Sequence, residues 1–225
     1  MIKAVIFDMF ETLITHYRSS LYFGSQMAQD AGLTEEQFLP VWRATDEERT
    51  IGKLTLEEVL TRILQENHCY SEEMLQKLVV KRTDTKKVCF EHLHEEIIPM
   101  LSKLKEDGVK IGLISNCYSE EATVIRESVL FPYFDAILLS NEQGVKKPDK
   151  EIFRRCMDTL SVSAKECVYV GDGGNYELET AESLGMKAVQ AVWYLKQGST
   201  QPSWRKDEFE QAETPMEVLE LTRAE

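Results

Sequence analysis

Short apolar runs recur along the chain at residues 4–7, 109–114, 136–139, 167–170 and 187–192. They are close to continuous rather than alternating, which is the pattern of strands covered on both faces. Helical stretches separate them, and this β-α-β rhythm predicts a parallel sheet flanked by helices. The punctuation agrees. Pro99 stands where a helix can begin, Gly108 closes that helix before the next strand, and Gly185 closes a helix expected over 175–184.

Residues 14–94 break the rhythm, because they carry no convincing strand and read as successive amphipathic helices. Two helix starts are explicit. Thr34 with Gln37, and Thr55 with Glu58, both match the capping box, in which a hydroxyl and a side chain three residues on satisfy each other's orphan amides. Gly32 and Gly52 punctuate between helices. An all-helical insertion of this length exceeds an ordinary crossover and predicts a small separate domain. The expected division is a discontinuous core, 1–13 and 95–225, with a helical cap over 14–94. A surface loop over 196–207, with Gly198, Ser199, Pro202 and Ser203, should precede a last helix over 215–222.

The 225 residues, 43% of them hydrophobic, suffice for one large core with a small satellite. With 26 basic against 39 acidic side chains the net charge is -13, which argues against a nucleic-acid partner and reads as a solvated surface. Cys69, Cys89, Cys117, Cys156 and Cys167 form no C-x-x-C pair, and the first residues lack the order of a secretory signal. Reduced thiols and a cytoplasmic location are the expectation. No apolar run approaches the roughly 18 to 20 residues that span a bilayer, so no membrane partner is expected.

Polar residues fall at one kind of place. Asp8 ends the first strand, Ser115 and Asn116 the second, Asp172 a later one, and Lys147 precedes a helix. In a parallel sheet those positions share the edge outside which ligands bind. A carboxylate at Asp8 can attack phosphorus or carbon, Asp8 with Asp172 suits Mg²⁺, and Lys147 with Ser115 suits an anionic oxygen.

Four motifs in this order resemble the haloacid dehalogenase superfamily of aspartate-nucleophile hydrolases, in its helical-cap subgroup: 7–13 (FDMFETL), 114–116 (ISN), 147–153 with Lys147-Pro148-Asp149, and 171–177 (GDGGNYE). The resemblance covers nearly the whole chain and implies a Rossmann-like α/β core with an inserted helical cap. It implies Asp8 as the nucleophile that forms an aspartyl intermediate and Thr12 as a shaper of the first loop. It further implies Ser115 and Asn116 at the transferred group, Lys147 as the neutralising cation, and Mg²⁺ held by Asp8, Asp172 and the Phe10 carbonyl. Glu177 stands where the family usually has Asp, and its extra methylene admits binding through water.

One position departs from the pattern. Phosphatases of the family carry a second Asp two residues after the nucleophile, as acid and base for the leaving group, and here that residue is Phe10. Such a group contributes roughly 10² to 10⁴ in rate, about 3 to 5 kcal/mol. Dehalogenases of the family place an aromatic residue there but generally lack the metal half of the site, which Asp172 retains. Asp8 and Asp172 at about 4 Å would repel by about 4 kcal/mol at an effective dielectric of 20, so the pair makes sense around a divalent cation.

The expectation is therefore a Mg²⁺-dependent phosphohydrolase acting on a small phosphorylated metabolite. A 2-haloacid dehalogenase-like hydrolase and a catalytically weak ligand-binding relative are the alternatives. His16 and Tyr17 are the candidates for a substitute acid, since Glu11 should point elsewhere. Arg18, Tyr22 and Arg43 are cap candidates for an anionic substrate, although charges on amphipathic helices usually face water. Trp42 reads as cap core, Cys117 as a packing residue, and His68, His92 and His94 lack metal-ligand spacing.

Overall fold

The computed structural model describes residues 1–195 and 204–223. Strand β1 (Ala4–Phe7) opens the chain and runs into five helices, α1 (Gly24–Asp30), α2 (Glu35–Ala44), α3 (Asp46–Thr50), α4 (Leu56–Glu66) and α5 (Glu72–Val88). The sheet resumes with α6 (Ile97–Glu106), β2 (Lys110–Ser115), α7 (Ser119–Glu127), β3 (Ala136–Leu139), α8 (Ser140–Gln143), α9 (Lys150–Leu160) and β4 (Cys167–Gly171). It closes with α10 (Glu177–Ser183), β5 (Lys187–Ala191), β6 (Glu210–Ala212) and α11 (Val218–Arg223). The sheet order is β3-β2-β1-β4-β5-β6 and every pairing is parallel, a Rossmann-like α/β core.

The apolar strands divide their side chains by alternation. Val5 and Phe7 enter one buried layer with Ile111, Leu113, Val168 and Val170. Ala4 and Ile6 enter the opposite layer with Ile114 and Tyr169. Two-sided burial is why these strands read as unbroken apolar runs. The five inserted helices keep a third cluster of their own, built on Met27, Phe38, Leu60, Ile63 and Leu78.

Both capping boxes form. Gln37 N donates to Thr34 Oγ1 at 3.3 Å while Thr34 N donates to Gln37 Oε1 at 2.9 Å, and Thr55 with Glu58 repeats the exchange at 3.2 and 2.8 Å.

Several expected bounds move. Val109 N donates to Leu104 O, closing α6, so β2 starts one residue later and runs to Ser115. The helix expected over 175–184 begins only at Glu177, because Asn175 and Tyr176 take left-handed backbone (φ 52° and 53°). The last helix opens as a 3-10 turn at Pro215–Glu217 before α11. Of the loop expected over 196–207, residues 196–203 lie outside those described, and β6 follows it as an edge strand too short and polar to carry a signal.

The inserted helices lean on the core at two places. In one, Ser140 Oγ donates to Thr50 O at 2.8 Å and Asn141 Nδ2 to Arg49 O at 3.2 Å. Gly52 closes this contact at φ +75°, where a Cβ would lie 1.9 Å from Asn141 O. In the other, α5 reaches α7 through buried ion pairs between Arg82 and both Glu120 and Glu121, and between Lys86 and Glu121.

Candidate active site

The parallel register aligns strand ends, since Phe7 pairs with both Leu113 and Val170, so the residues that follow emerge at one edge. Asp8 N donates to Val170 O at 2.9 Å, which carries the pairing one residue past β1 and holds Asp8 in place. Asp8, Asp172 and Glu177 are all buried and offer carboxylate oxygens within 4.8 Å of one another. Lys147, only 2% exposed, places its ammonium against Asp8 Oδ1 and Glu177 Oε2 and donates to Tyr169 Oη at 3.2 Å. Three buried carboxylates thus face one ammonium.

The surrounding bonds set the positions of these groups. Thr12 Oγ1 donates to Asp8 Oδ2 at 3.4 Å, and Trp193 Nε1 ties the loop by donating to Thr12 O at 2.7 Å. Glu177 accepts from Tyr169 Oη at 2.8 Å and from Gly173 N at 3.1 Å. Gly171 is required for this packing, because a Cβ there would lie 2.0 Å from Glu177 Oε1. Asp172 accepts from Gly174 N at 2.9 Å, and its carbonyl accepts from Gln190 Nε2 at 2.8 Å.

Burial shapes the charge states. It pushes the Asp8 carboxyl up, aided by Asp172, against the pull of Lys147. Glu177 is pushed up to about 8 by burial, with Asp8 and Asp172 adding to it and Lys147 opposing. Burial works against the Lys147 charge too, but Asp8 and Glu177 outweigh it and hold the ammonium above its ordinary value. Asp8 and Glu177 are both raised although Lys147 touches each of them, so among the described residues the group is short of positive charge. Hard oxygen donors with excess negative charge fit a divalent cation of the Mg²⁺ kind.

Ser115 Oγ completes the site. It is fully buried at the end of β2 with no hydrogen-bond partner among the described residues, an orphaned hydroxyl of the kind that an arriving oxygen satisfies. Asn116, expected at the transferred group, lines the neighbouring cavity and engages its carboxamide with Lys147. Its Oδ1 accepts from Lys147 N at 2.8 Å and its Nδ2 donates to Lys147 O at 2.9 Å, so it clamps the lysine backbone.

A cavity of about 460 Å³ lies between the inserted helices and this edge. Its core side is formed by Phe10, Asn116, Cys117, Lys146 and Asn175, close neighbours in the chain of Asp8, Ser115, Lys147 and Asp172. Phe23, Trp42, Arg82 and Lys86 come from the other side. Phe10, the departing position, stacks on His16 with ring centroids 4.9 Å apart.

The substitute-acid candidates do not survive this geometry. Burial, assisted by the Lys86 charge, lowers His16 to about 3, so near neutral pH its ring is uncharged and cannot act as an imidazolium acid. Tyr17 is exposed and outside the cavity wall. Glu11 turns away, as expected, accepting from His16 N at 3.0 Å and from Thr15 Oγ1 at 2.5 Å.

Of the cap candidates, Arg18 lies over the Tyr194 ring and Tyr22 is buried on Asp30, while Arg43 borders a separate hollow. Trp42 packs on the cap core and also faces the cavity, so it is more than packing. Arg82 and Lys86 escaped notice as members of a charged helix face. Burial pushes the Cys117 thiol up, in keeping with a packing role. Tyr169 was missed as well, because a tyrosine inside an apolar strand reads as core.

A parallel α/β sheet with a carboxylate after the first strand, a second acid after the fourth and a buried lysine between them gives the catalytic edge of a Rossmann-like hydrolase. The chain matches the haloacid dehalogenase-like hydrolases over residues 2–185 and belongs to that family of enzymes. It is 26% identical to a glyceraldehyde 3-phosphate phosphatase of Methanopyrus kandleri, over 99% of this chain and 98% of that one. It is 34% identical to an N-acylneuraminate-9-phosphatase of Rattus norvegicus, over 47% of this chain and 42% of that one. Among solved structures, a 2-haloacid dehalogenase from Pseudomonas syringae pv. Tomato superposes with a TM-score of 0.67 over 99% of both chains at 22% identity, a likeness of fold. No helix among the described residues is long and apolar enough to cross a membrane.

Proposed function

We propose that this hydrolase is a Mg²⁺-dependent phosphohydrolase acting on a small phosphorylated metabolite through an aspartyl-phosphate intermediate, with the helices of 14–94 as the cap over its site. The observation that carries the reading is three buried carboxylates against one ammonium, beside the unpartnered Ser115 hydroxyl. The M. kandleri relative, named a phosphatase and aligned over nearly the whole chain, supports it.

Asp8, Asp172, Glu177 and, as the resemblance implies, the Phe10 carbonyl would hold the cation, which would supply charge neutralisation to the transferred phosphoryl group. Asp8 is the nucleophile. Thr12 fixes one of its oxygens and Lys147 the other, so the attacking carboxylate is oriented before substrate arrives. Lys147 offsets the negative charge that gathers in the transition state, and Asn116 holds its backbone. Ser115 donates to a phosphoryl oxygen. Tyr169 and Gly173 position Glu177.

Acetyl phosphate is the direct probe, because it is small and its acetate leaves without needing a proton. Phosphate release that requires Mg²⁺, stops with chelator and falls by about 10³ or more in Asp8→Asn is the expected result. Release unaffected by Asp8→Asn would falsify the reading.

Phe10 favours a second reading, halide release from a short 2-halocarboxylate, since halide needs no proton donor. That reaction would proceed in chelator, whereas the phosphohydrolase would not.

A further inference from the structure

We propose that the substrate is an aryl phosphate, a phosphorylated phenol or similar flat conjugated hydroxyl, whose ring lies in the cavity beside Phe10. The proposal rests on the phosphohydrolase reading above and names the leaving group. Two separate features point to it, one chemical and one steric.

The chemical feature is the lack, among the described residues, of a free proton donor where the leaving oxygen must depart, since Lys86, 5.6 Å from the Phe10 ring, is paired with Glu121. Phe10 carries none, Glu11 is turned onto Thr15 and His16, and Tyr17 lies outside the cavity. An aliphatic alkoxide is a strong base that leaves badly without a proton. A phenolic oxygen, with a pKa of about 10, leaves as the aryloxide.

The steric feature is the wall. The stacked rings of Phe10 and His16, with Phe23 edge-on to His16 at 5.8 Å, form one side. Trp42 and Tyr118 form another, and Arg49 lies buried over both rings, 3.7 and 4.2 Å from their centroids, so they present a braced aromatic surface. The charged groups at the wall already have partners. Lys86 and Arg82 are paired with Glu121, Lys146 with Glu47, and Asp46 accepts from Tyr118 Oη. Beside these paired groups and Asn116 and Asn175, the wall offers ring faces and edges, which suit a flat ring. The volume of about 460 Å³ admits a one- or two-ring group.

The bonds balance without an external acid. A carboxylate oxygen of Asp8 forms a bond to phosphorus while the phosphorus to aryl-oxygen bond breaks, and its electron pair leaves on the aryloxide, which takes a proton from solvent. Water then attacks the aspartyl phosphate, releasing inorganic phosphate, and Asp8 is regenerated.

The test is kcat/KM of the Mg²⁺-loaded wild-type protein for a series of substituted phenyl phosphates and for alkyl phosphates, glyceraldehyde 3-phosphate among them, with acetyl phosphate alongside. Aryl substrates should exceed alkyl ones by about 100-fold or more, and rates should rise as the phenol becomes more acidic. In Phe10→Asp, alkyl turnover should rise and the aryl-to-alkyl ratio narrow by at least tenfold. Alkyl phosphates turned over within threefold of aryl ones by wild type would overturn the proposal, as would an unchanged ratio in folded Phe10→Asp. Acetyl phosphate separates the two claims. If it is turned over through Asp8 while aryl phosphates show no advantage, only the leaving-group assignment fails. If it is not turned over either, the phosphohydrolase reading has failed first.

Discussion

Two clusters of buried charge sit a short way apart in this protein and are built on opposite terms. At the sheet edge, Asp8, Asp172 and Glu177 gather, with Lys147 placing its ammonium against Asp8 and Glu177. Between α5 and α7, Arg82 and Lys86 meet Glu120 and Glu121, two cations against two acids. In the second, Lys86 and Arg82 hold Glu121 down to about 2 despite burial, although burial still raises Glu120 and lowers Lys86. In the first, Glu177 is driven up to about 8. Burying charge is costly unless it is paired, so a balanced cluster serves as a joint while an acid-rich one suits a cation.

That contrast can be broken first at Lys147. Lys147→Met leaves three buried carboxylates facing one another, and we expect about 4 kcal/mol lost in urea unfolding without metal, much of it recovered by millimolar Mg²⁺. No recovery would mean that the acidic group does not take a cation. Arg82→Met should cost about 3 kcal/mol, because Glu120 and Glu121 lose a buried partner and Tyr22 O its donor. Here Mg²⁺ should restore nothing beyond its effect on wild type, and equal rescue of both variants would erase the distinction between the clusters.

The smallest effect concerns pH. His16, which packs against Lys86, titrates near 3 when folded and near 6.5 when unfolded, so the unfolded chain binds the extra proton between those values. The stability tied to its neutral ring is complete above pH 6.5 and is lost as pH falls towards 3, by about 1.4 kcal/mol per unit. Between pH 7 and pH 5 wild type should lose about 2 kcal/mol relative to His16→Leu in urea melts. An identical pH dependence in the two proteins would show that the ring is not held neutral.

The two clusters were unequally legible in the sequence. Asp8, Ser115, Lys147 and Asp172 could be read because each sits at an end of an apolar run or in a short motif, and the parallel sheet brings such ends to one edge. Arg82 and Lys86 could not, because their partners Glu120 and Glu121 lie on a distant helix, α7, and a charged helix face ordinarily points to water. The clamp that Asn116 makes was not legible, since only the folded chain shows the Lys147 backbone passing within reach of its carboxamide. The start of α10 was misjudged for a local reason. Asn175 and Tyr176 adopt left-handed backbone that helix periodicity does not reveal.

By itself the sequence determined the alternation of apolar strands and helices, both capping boxes, the insertion after β1 and the identity of the residue that replaces the second acid. These depend on neighbours within a few positions, where spacing and side-chain type suffice. Only the tertiary structure decided that three buried acids gather at the sheet edge around Lys147, that Ser115 has no hydrogen-bond partner among the described residues, and that the ring of Phe10 joins an aromatic wall. Charge balance, burial and cavity shape arise from segments that meet only when the chain folds, and their energies depend on how far water has been excluded.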